Sequence, residues 1–295
     1  KHNFCDYYIE DDIRSLKPQW FDTVDCVFDY AGISNDPTGN ISPELTFEIN
    51  DIARSDLALL AKNVKIKNYI FASSCSVYGS GSSNDLLSEQ SETDPLTPYA
   101  ISALNAEEKL RKLSSDNFRC TILRHGTVFG FSEKMRFDLV LNSMLRSALE
   151  KRKILINGNG LQLRPLLSLE TLSTFILSYL KSSFFKDNDF ELINLSDENF
   201  SVVSIAKVVK SSVEEYLGKK IDLEYVSDNM DYRNYAVSTK KLNSKYQLIG
   251  AKLNSNIIVN LCQKFSGVDF ADPRFITQAW YKHIFGPDLE HLRSF

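Results

Sequence analysis

The chain has 295 residues, 43% of them hydrophobic and 24% charged, with a formal net charge of -4. This length can bury a large core in one big α/β unit or two closely joined lobes. No basic excess points to nucleic acid, and no apolar run approaches the roughly 18 residues of a membrane-spanning helix. The five cysteines are scattered singly without a CxxC pair, which argues against a disulfide framework and against a structural zinc site. Reduced thiols in a cytoplasmic protein are expected, and Lys1-His2-Asn3 carries no signal-peptide pattern.

In chain order, Phe4–Ile9 reads as a strand and Asp11-Asp12-Ile13-Arg14 as the turn after it. Val24 to Tyr30 reads as a strand, and Pro43 to Val64 as a helix with apolar residues at Leu45, Ile49, Ile52, Leu57, Leu60 and Ala61. Tyr69–Ser73 is a further strand, Pro98–Leu113 a helix rich in good helix formers, and Cys120–Arg124 another strand. Such short apolar runs suit strands covered on both faces, so the alternation predicts a Rossmann-type doubly wound parallel sheet in residues 1–130. Beyond Gly130 helices are expected at about Phe137–Glu150, Leu169–Lys181, Val202–Tyr216 and Thr239–Gln247. Residues 131–295 therefore read as a smaller, mostly helical substrate lobe, with 190–195 returning to the main sheet.

A dinucleotide-binding unit opens on a strand that runs into a glycine-rich turn. Here the earliest glycine is Gly32, beyond an expected strand. Phe4–Ile9 thus resembles a third strand rather than a first.

The most specific segment is Phe71-Ala72-Ser73-Ser74-Cys75-Ser76-Val77-Tyr78-Gly79, with Pro98-Tyr99 opening the next helix. A strand ending in Ser-Ser puts hydroxyls at the carboxyl edge of the sheet, where open α/β sheets bind ligands, and a tyrosine on the next helix can meet them. By itself, Ser-Ser after a strand would be a turn or a helix cap.

On these residues the chain resembles the extended short-chain dehydrogenase/reductases, the NAD-dependent epimerase/dehydratase family of nucleotide sugars. The resemblance covers nearly the whole chain. It makes Asp12 and Ile13 part of an acidic turn that contacts adenine. Tyr30, Ala31 and Gly32 resemble the segment that passes behind the cofactor, Asn50 an asparagine of the following helix, and Ser73, Tyr99 and His125 further cofactor neighbours. Ser74 matches the catalytic serine and Tyr99 the tyrosine of the YxxxK motif. Ser74, Cys75 and Ser76 are implied to face the substrate, with Asn142, Arg164 of Gly158–Pro165 and Arg233 of Asp231–Tyr235 on its diphosphate. Two guanidinium groups suit that task because each can bond phosphate oxygens bidentately. NAD or NADP, with NAD favoured, and a nucleotide-diphosphate sugar are the implied ligands.

In this family the tyrosine, as phenolate, takes a proton from a sugar hydroxyl as hydride leaves the carbon, and a lysine four residues on lowers its pKa. Free tyrosine titrates near ~10, so about 0.1% is phenolate at pH 7. The run here is Tyr99-Ala100-Ile101-Ser102-Ala103, so Ala103 stands where the lysine should be. Either the lysine was replaced deliberately, or the protein binds without efficient turnover, or another residue has taken over its role. The family's spacing also implies roughly 45 residues upstream of Lys1, carrying the first strand and its turn.

Sugar 4,6-dehydratases carry an Asp-Glu pair after the catalytic hydroxyl residue, and here those positions are Cys75 and Ser76. GDP-fucose synthases place a cysteine two residues beyond the serine, whereas Cys75 is the immediate neighbour of Ser74. Epimerisation or reduction at a single carbon, most simply C4, remains. Two rivals stay open: a catalytically silent nucleotide-sugar-binding protein, and a reductase of a non-sugar ketone. The helices at Pro43–Val64 and Pro98–Leu113 have stripes that suit a homodimer interface as well as packing on their own sheet.

Overall fold

The computed structural model describes residues 5–80, 86–181, 189–226, 233–248 and 250–279. Strand β1 (Cys26–Asp29) leads through a short helix α1 (Asp36–Gly39) to α2 (Pro43–Phe47), a π-helical stretch (Glu48–Ala53) and α3 (Arg54–Asn63). Then come β2 (Asn68–Ser74), α4 (Pro98–Leu113), β3 (Arg119–His125) and β4 (Thr127–Phe129). The later part holds α5 (Val140–Lys151), β5 (Lys153–Asn157), β6 (Leu163–Ser168), α6 (Leu169–Lys181), β7 (Phe190–Leu195) and β8 (Glu198–Ser201). It continues with α7 (Val202–Leu217), β9 (Asp222–Val226), α8 (Lys240–Tyr246) and α9 (Ser255–Lys264).

The main sheet runs β1-β2-β3-β7, every pair parallel. Successive side chains of a strand face opposite sides, and both sides are covered here. Tyr69, Phe71, Cys120 and Ile122 pack beneath Leu57, Ala58, Ala61, Ala106 and Leu110 of α3 and α4. Ile70, Leu123 and Ile193 face Phe175, Tyr179 and Leu242 of α6 and α8. This is the doubly wound arrangement expected from the alternation of short apolar runs and amphipathic helices.

Helix starts follow the sequence. Pro98 sits in the first turn of α4, and the Thr97 hydroxyl caps it by accepting from the Ala100 amide at 3.2 Å. The Ser201 hydroxyl caps α7 in the same way through Ser204.

One expectation fails. Phe4 lies outside the described residues, and Cys5–Ile9 form no strand. A strand needs a hydrogen-bonded neighbour, and no described strand lies beside this segment, so Tyr7 is 89% exposed. Beyond Gly130 the four expected helices form, as α5, α6, α7 and α8, with short strands between them. β4, just before Gly130, joins β6 and β8 in one sheet and β5 pairs with β9, around a core that includes Leu141, Leu145, Ile154, Ile156, Val209 and Phe265. These strands are short; β5 alternates between buried and exposed positions, whereas β6 is buried from Arg164 to Ser168.

Candidate functional site

Open parallel sheets bind ligands beyond the carboxyl ends of their strands. Here those ends come into register, with Asp29 beside Phe71, Ser73 beside Arg124 and Ser74 beside His125. The chain leaves the sheet there as Tyr30-Ala31-Gly32, Ser74–Ser76 and His125–Gly126, and a cleft of about 620 Å³ opens between these turns and the later lobe.

Gly32 lies at φ +149°, and a Cβ there would stand 2.8 Å from Asn50 Oδ1. Asn50 holds this turn through both of its amide groups, accepting from the Ile33 amide at 2.8 Å and donating to the Ile33 carbonyl at 2.9 Å. The π-helical stretch that carries Asn50 is a local widening of the helix of the kind found at functional sites. Gly79 closes the Ser-Ser motif, since a Cβ there would come within 1.7 Å of the Asp94 carbonyl.

Ser74 ends β2, and its hydroxyl accepts from the Ser76 amide at 3.1 Å. The Tyr99 phenol lines the same cleft, near enough for this hydroxyl to act on its pKa. Burial raises the pKa of Tyr99 above its ordinary value and Asp36 adds to this, while Ser74, Arg54 and Arg136 pull it down. No lysine reaches the pair from position 103. Ala103 is 3% exposed, packed in an apolar cluster with Cys75, Val77, Tyr78, Tyr235 and Val237.

His125 stands opposite. Its Nδ1 lies 3.1 and 2.9 Å from the carbonyls of Ser73 and Leu123, both acceptors, so Nδ1 carries the proton. Nε2 then accepts from the Tyr30 hydroxyl at 3.0 Å. Burial pushes this imidazole down to about 4, leaving it neutral at pH 7. Beneath, Glu107 holds Arg124 at 2.6 Å and accepts from Ser73, so the floor of the cleft rests on a buried ion pair.

The far end of the cleft holds Asn142, Arg164, Arg233 and Tyr235. Asn142 donates to the Arg136 carbonyl at 3.1 Å, while its Oδ1 is buried without a partner. Arg164 Nη1 donates at 2.7 Å to the carbonyls of Leu163 and Arg233. The Arg233 guanidinium pairs with Asp36, whose other oxygen accepts from Thr97. Ser76 Oγ is also buried and unpartnered on the cleft wall. Leaving such atoms unsatisfied costs on the order of 1–3 kcal/mol each, which is reasonable where a polar ligand completes them.

Most of the residues singled out in the sequence thus line one cleft: Tyr30, Ala31, Gly32, Ser73, Ser74, Ser76, Tyr99, His125, Asn142, Arg164 and Arg233. Asn50 supports the cleft from behind, and Cys75, Ala103, Asp12 and Ile13 do not line it either. Cys75 opens the 3-10 turn that follows β2 and is turned into the core, its thiol donating to the Arg124 carbonyl at 3.2 Å. Ala103 shares that apolar cluster. The Asp12 carboxylate pairs with Arg14, and Ile13 packs on the core under α3. Asp231 and Tyr232 of the late element lie outside the described residues.

Sequence reasoning missed Arg54, Asp36 and Arg136, all on the cleft wall. Arg54 had a signal, being a charge four residues beyond Asn50 on the stripe that continues through Ala58 and Ala61. Asp36 and Arg136 lie in irregular stretches with no such pattern.

A Rossmann-type sheet with a serine and a tyrosine hydroxyl paired at its carboxyl edge defines the class of short-chain dehydrogenase-like proteins. The sequence model of the NAD dependent epimerase/dehydratase family matches residues 4–192, and the chain belongs to that family. An uncharacterized UDP-glucose epimerase, YtcB of Bacillus subtilis strain 168, is 27% identical over 207 residues. The match takes in 68% of this chain and 61% of that protein, so the chain spans under two thirds of this curated relative's length. Among solved structures, MoeE5 in complex with UDP-glucose and NAD superposes with a TM-score of 0.74 at 21% identity, covering 87% of this chain and 85% of that one. The UDP-glucuronic acid 4-epimerase of Bacillus cereus, in complex with UDP-glucuronic acid and NAD, gives 0.73 at 22% identity over 86% and 81%. At these identities the structural likeness speaks for the fold. Among the described residues no helix is long and apolar enough to cross a membrane.

Proposed function

We propose that the chain is a nucleotide-sugar epimerase or ketoreductase that works with NAD or NADP, NAD being favoured, at one sugar carbon, most simply C4. The observation that carries this reading is the Ser74–Tyr99 hydroxyl pair, set in a cleft whose other end holds Asn142, Arg164 and Arg233. The UDP-sugar names of the relatives support a nucleoside diphosphate at the arginine end. They also support C4, since one relative is a UDP-glucose epimerase and one a 4-epimerase.

The residues present fit the nicotinamide half of a dinucleotide. Ala31 and Gly32 offer bare backbone, His125 a neutral imidazole, and Tyr30, Ser73 and Tyr99 the remaining wall. When bound, the cofactor supplies the hydride acceptor. Ser74 would hold the sugar oxygen by its hydroxyl, and Tyr99 would take that oxygen's proton, as general base, within hydrogen-bond reach. Ser76 Oγ and Asn142 Oδ1 would gain the partners they lack, and Arg164 would bond phosphate oxygens. With Cys75 turned inward, no acid–base pair follows Ser74, which speaks against dehydration.

Proton transfer is the weak step in this reading. Tyr99 is raised by burial and Ala103 supplies no charge, so turnover is slow. The same two observations favour a second reading, a silent binder of nucleotide sugars. The setting is cytoplasmic carbohydrate biosynthesis, and Ile52 and Leu59, exposed on the α2–α3 run, suit a homodimer.

The test incubates the protein with UDP-glucose and NAD and follows UDP-galactose by proton NMR, beside calorimetry with UDP alone. Slow epimerisation supports the enzyme, and UDP binding without turnover supports the binder. Failure to bind UDP overturns both and leaves a reductase of a neutral ketone.

A further inference from the structure

Ala103 removes the lysine amine from its usual place, yet a cation does reach the cofactor end of the cleft. Arg54 opens α3, four residues beyond Asn50, and is 5% exposed. Its Nε lies 3.0 and 2.9 Å from the two carboxylate oxygens of Asp29, and its Nη2 donates to the carbonyls of Asp29 at 2.9 Å and Ala72 at 3.0 Å. The Cζ atom sits 3.8 Å from the Phe71 ring centroid. Nε and Nη2 thus anchor the guanidinium to the ends of β1 and β2.

A guanidinium has five N–H donors, and this anchoring leaves those of Nη1 unused. Nη1 makes no hydrogen bond among the described residues. It lies 3.7 Å from the point where a Cβ on Gly32 would stand, and Arg54 belongs to the cleft wall. Its charge is felt at both Tyr99 and His125, which line the same cleft. Burying an arginine costs several kcal/mol unless it is paired, and the Asp29 carboxylate meets that need at Nε. A donor edge left open beside a side-chain-free glycine is not required for that pairing.

We propose that Arg54 is the cofactor-binding cation of this chain, its Nη1 donating to an oxygen of the nicotinamide-ribose-phosphate half in place of the lysine absent at position 103. The proposal rests on the reading of the cleft as a dinucleotide site. Because Asp29 offsets much of the charge, Arg54 holds the cofactor better than it activates Tyr99, and tight binding with slow turnover follows.

Calorimetry with NAD and, separately, with UDP tests this on the full chain, using two variants. Asp29→Asn/Arg54→Met removes the guanidinium together with the charge it neutralises. Arg54→Lys keeps a cation for Asp29 but has no planar fork to extend past Gly32. Each is expected to lose about tenfold or more in NAD affinity while binding UDP like the unmodified chain. Unchanged NAD affinity in a variant that still binds UDP overturns the proposal. Equal loss of NAD and UDP also overturns it, since that marks a structural role. If the unmodified chain binds UDP but no NAD, the dinucleotide reading itself falls.

Discussion

Ser74 and Tyr99 line one cleft wall together although one ends a strand and the other stands in the first turn of a helix. What brings them together is the seating of α4. Its cap residue Thr97 donates to Asp36, and Asp36 in turn holds Arg233 from the far end of the chain. Helix α4, which carries Tyr99, and Arg233 at the other end of the cleft are therefore tied through one carboxylate.

Asp36 raises the pKa of Tyr99, and the phenolate is the form that takes a proton. Turnover should rise with pH beyond neutrality as Tyr99 ionises. Asp36→Asn removes a negative charge and releases Arg233, so the alkaline limb of the kcat profile should move to lower pH. Arg54 and Arg136 already act in that direction and Ser74 with them, so the shift is read against an otherwise unchanged surround. Rates measured between pH 6 and 10 check it.

Restoring the lysine by Ala103→Lys should raise turnover at pH 7 and lower stability. Position 103 is packed against Cys75, Tyr78 and Tyr235, and forcing a longer side chain into such a site costs about 1–3 kcal/mol. A gain in UDP-galactose formed, together with a lower Tm, is the expected pair of results.

Arg164→Ala should weaken UDP binding about 10- to 100-fold and leave uridine binding unchanged, since charge-assisted hydrogen bonds are worth about 1.5–3 kcal/mol. Calorimetry with the two ligands separates the phosphate contribution from that of the base.

Glu107 and Arg124 are each 5% exposed at the side chain and pair beneath the cleft. Glu107→Leu strands a buried guanidinium and should cost about 3–5 kcal/mol in urea unfolding. Glu107→Leu/Arg124→Met should recover much of that loss, because both buried charges then vanish together.

His125 is held near 4, below the ordinary histidine value of 6.5. The unfolded chain therefore binds a proton as pH falls below 6.5, while the folded chain does not until about 4. Stability should fall across that window, and His125→Gln should flatten the slope. Urea midpoints at pH 7, 5.5 and 4.5 measure it.

Much of this molecule is legible along the chain. Pro98–Leu113 and Leu169–Lys181 are helices over the very residues expected, because proline and cap signals and apolar stripes are local. The strands ending at Asp29, Ser74 and His125 were visible as apolar runs, since burial on both faces leaves an unbroken hydrophobic signature. The motif residues Ser74 and Tyr99 belong to the same local record.

Tertiary structure alone decided the rest. Whether a residue beside Ser74 faces the cleft or the core depends on which way the chain turns after β2, and that turn sends Ser76 to the cleft and Cys75 inward. The pairing of Asp36 with Arg233 joins positions far apart in sequence, which no periodicity can foretell. The short strands β5 and β9 form through each other, with Ile154 beside Leu223, and neither run is apolar enough to declare itself alone. Local chemistry fixes what each segment can become, while the partner across the fold decides which of its faces acts.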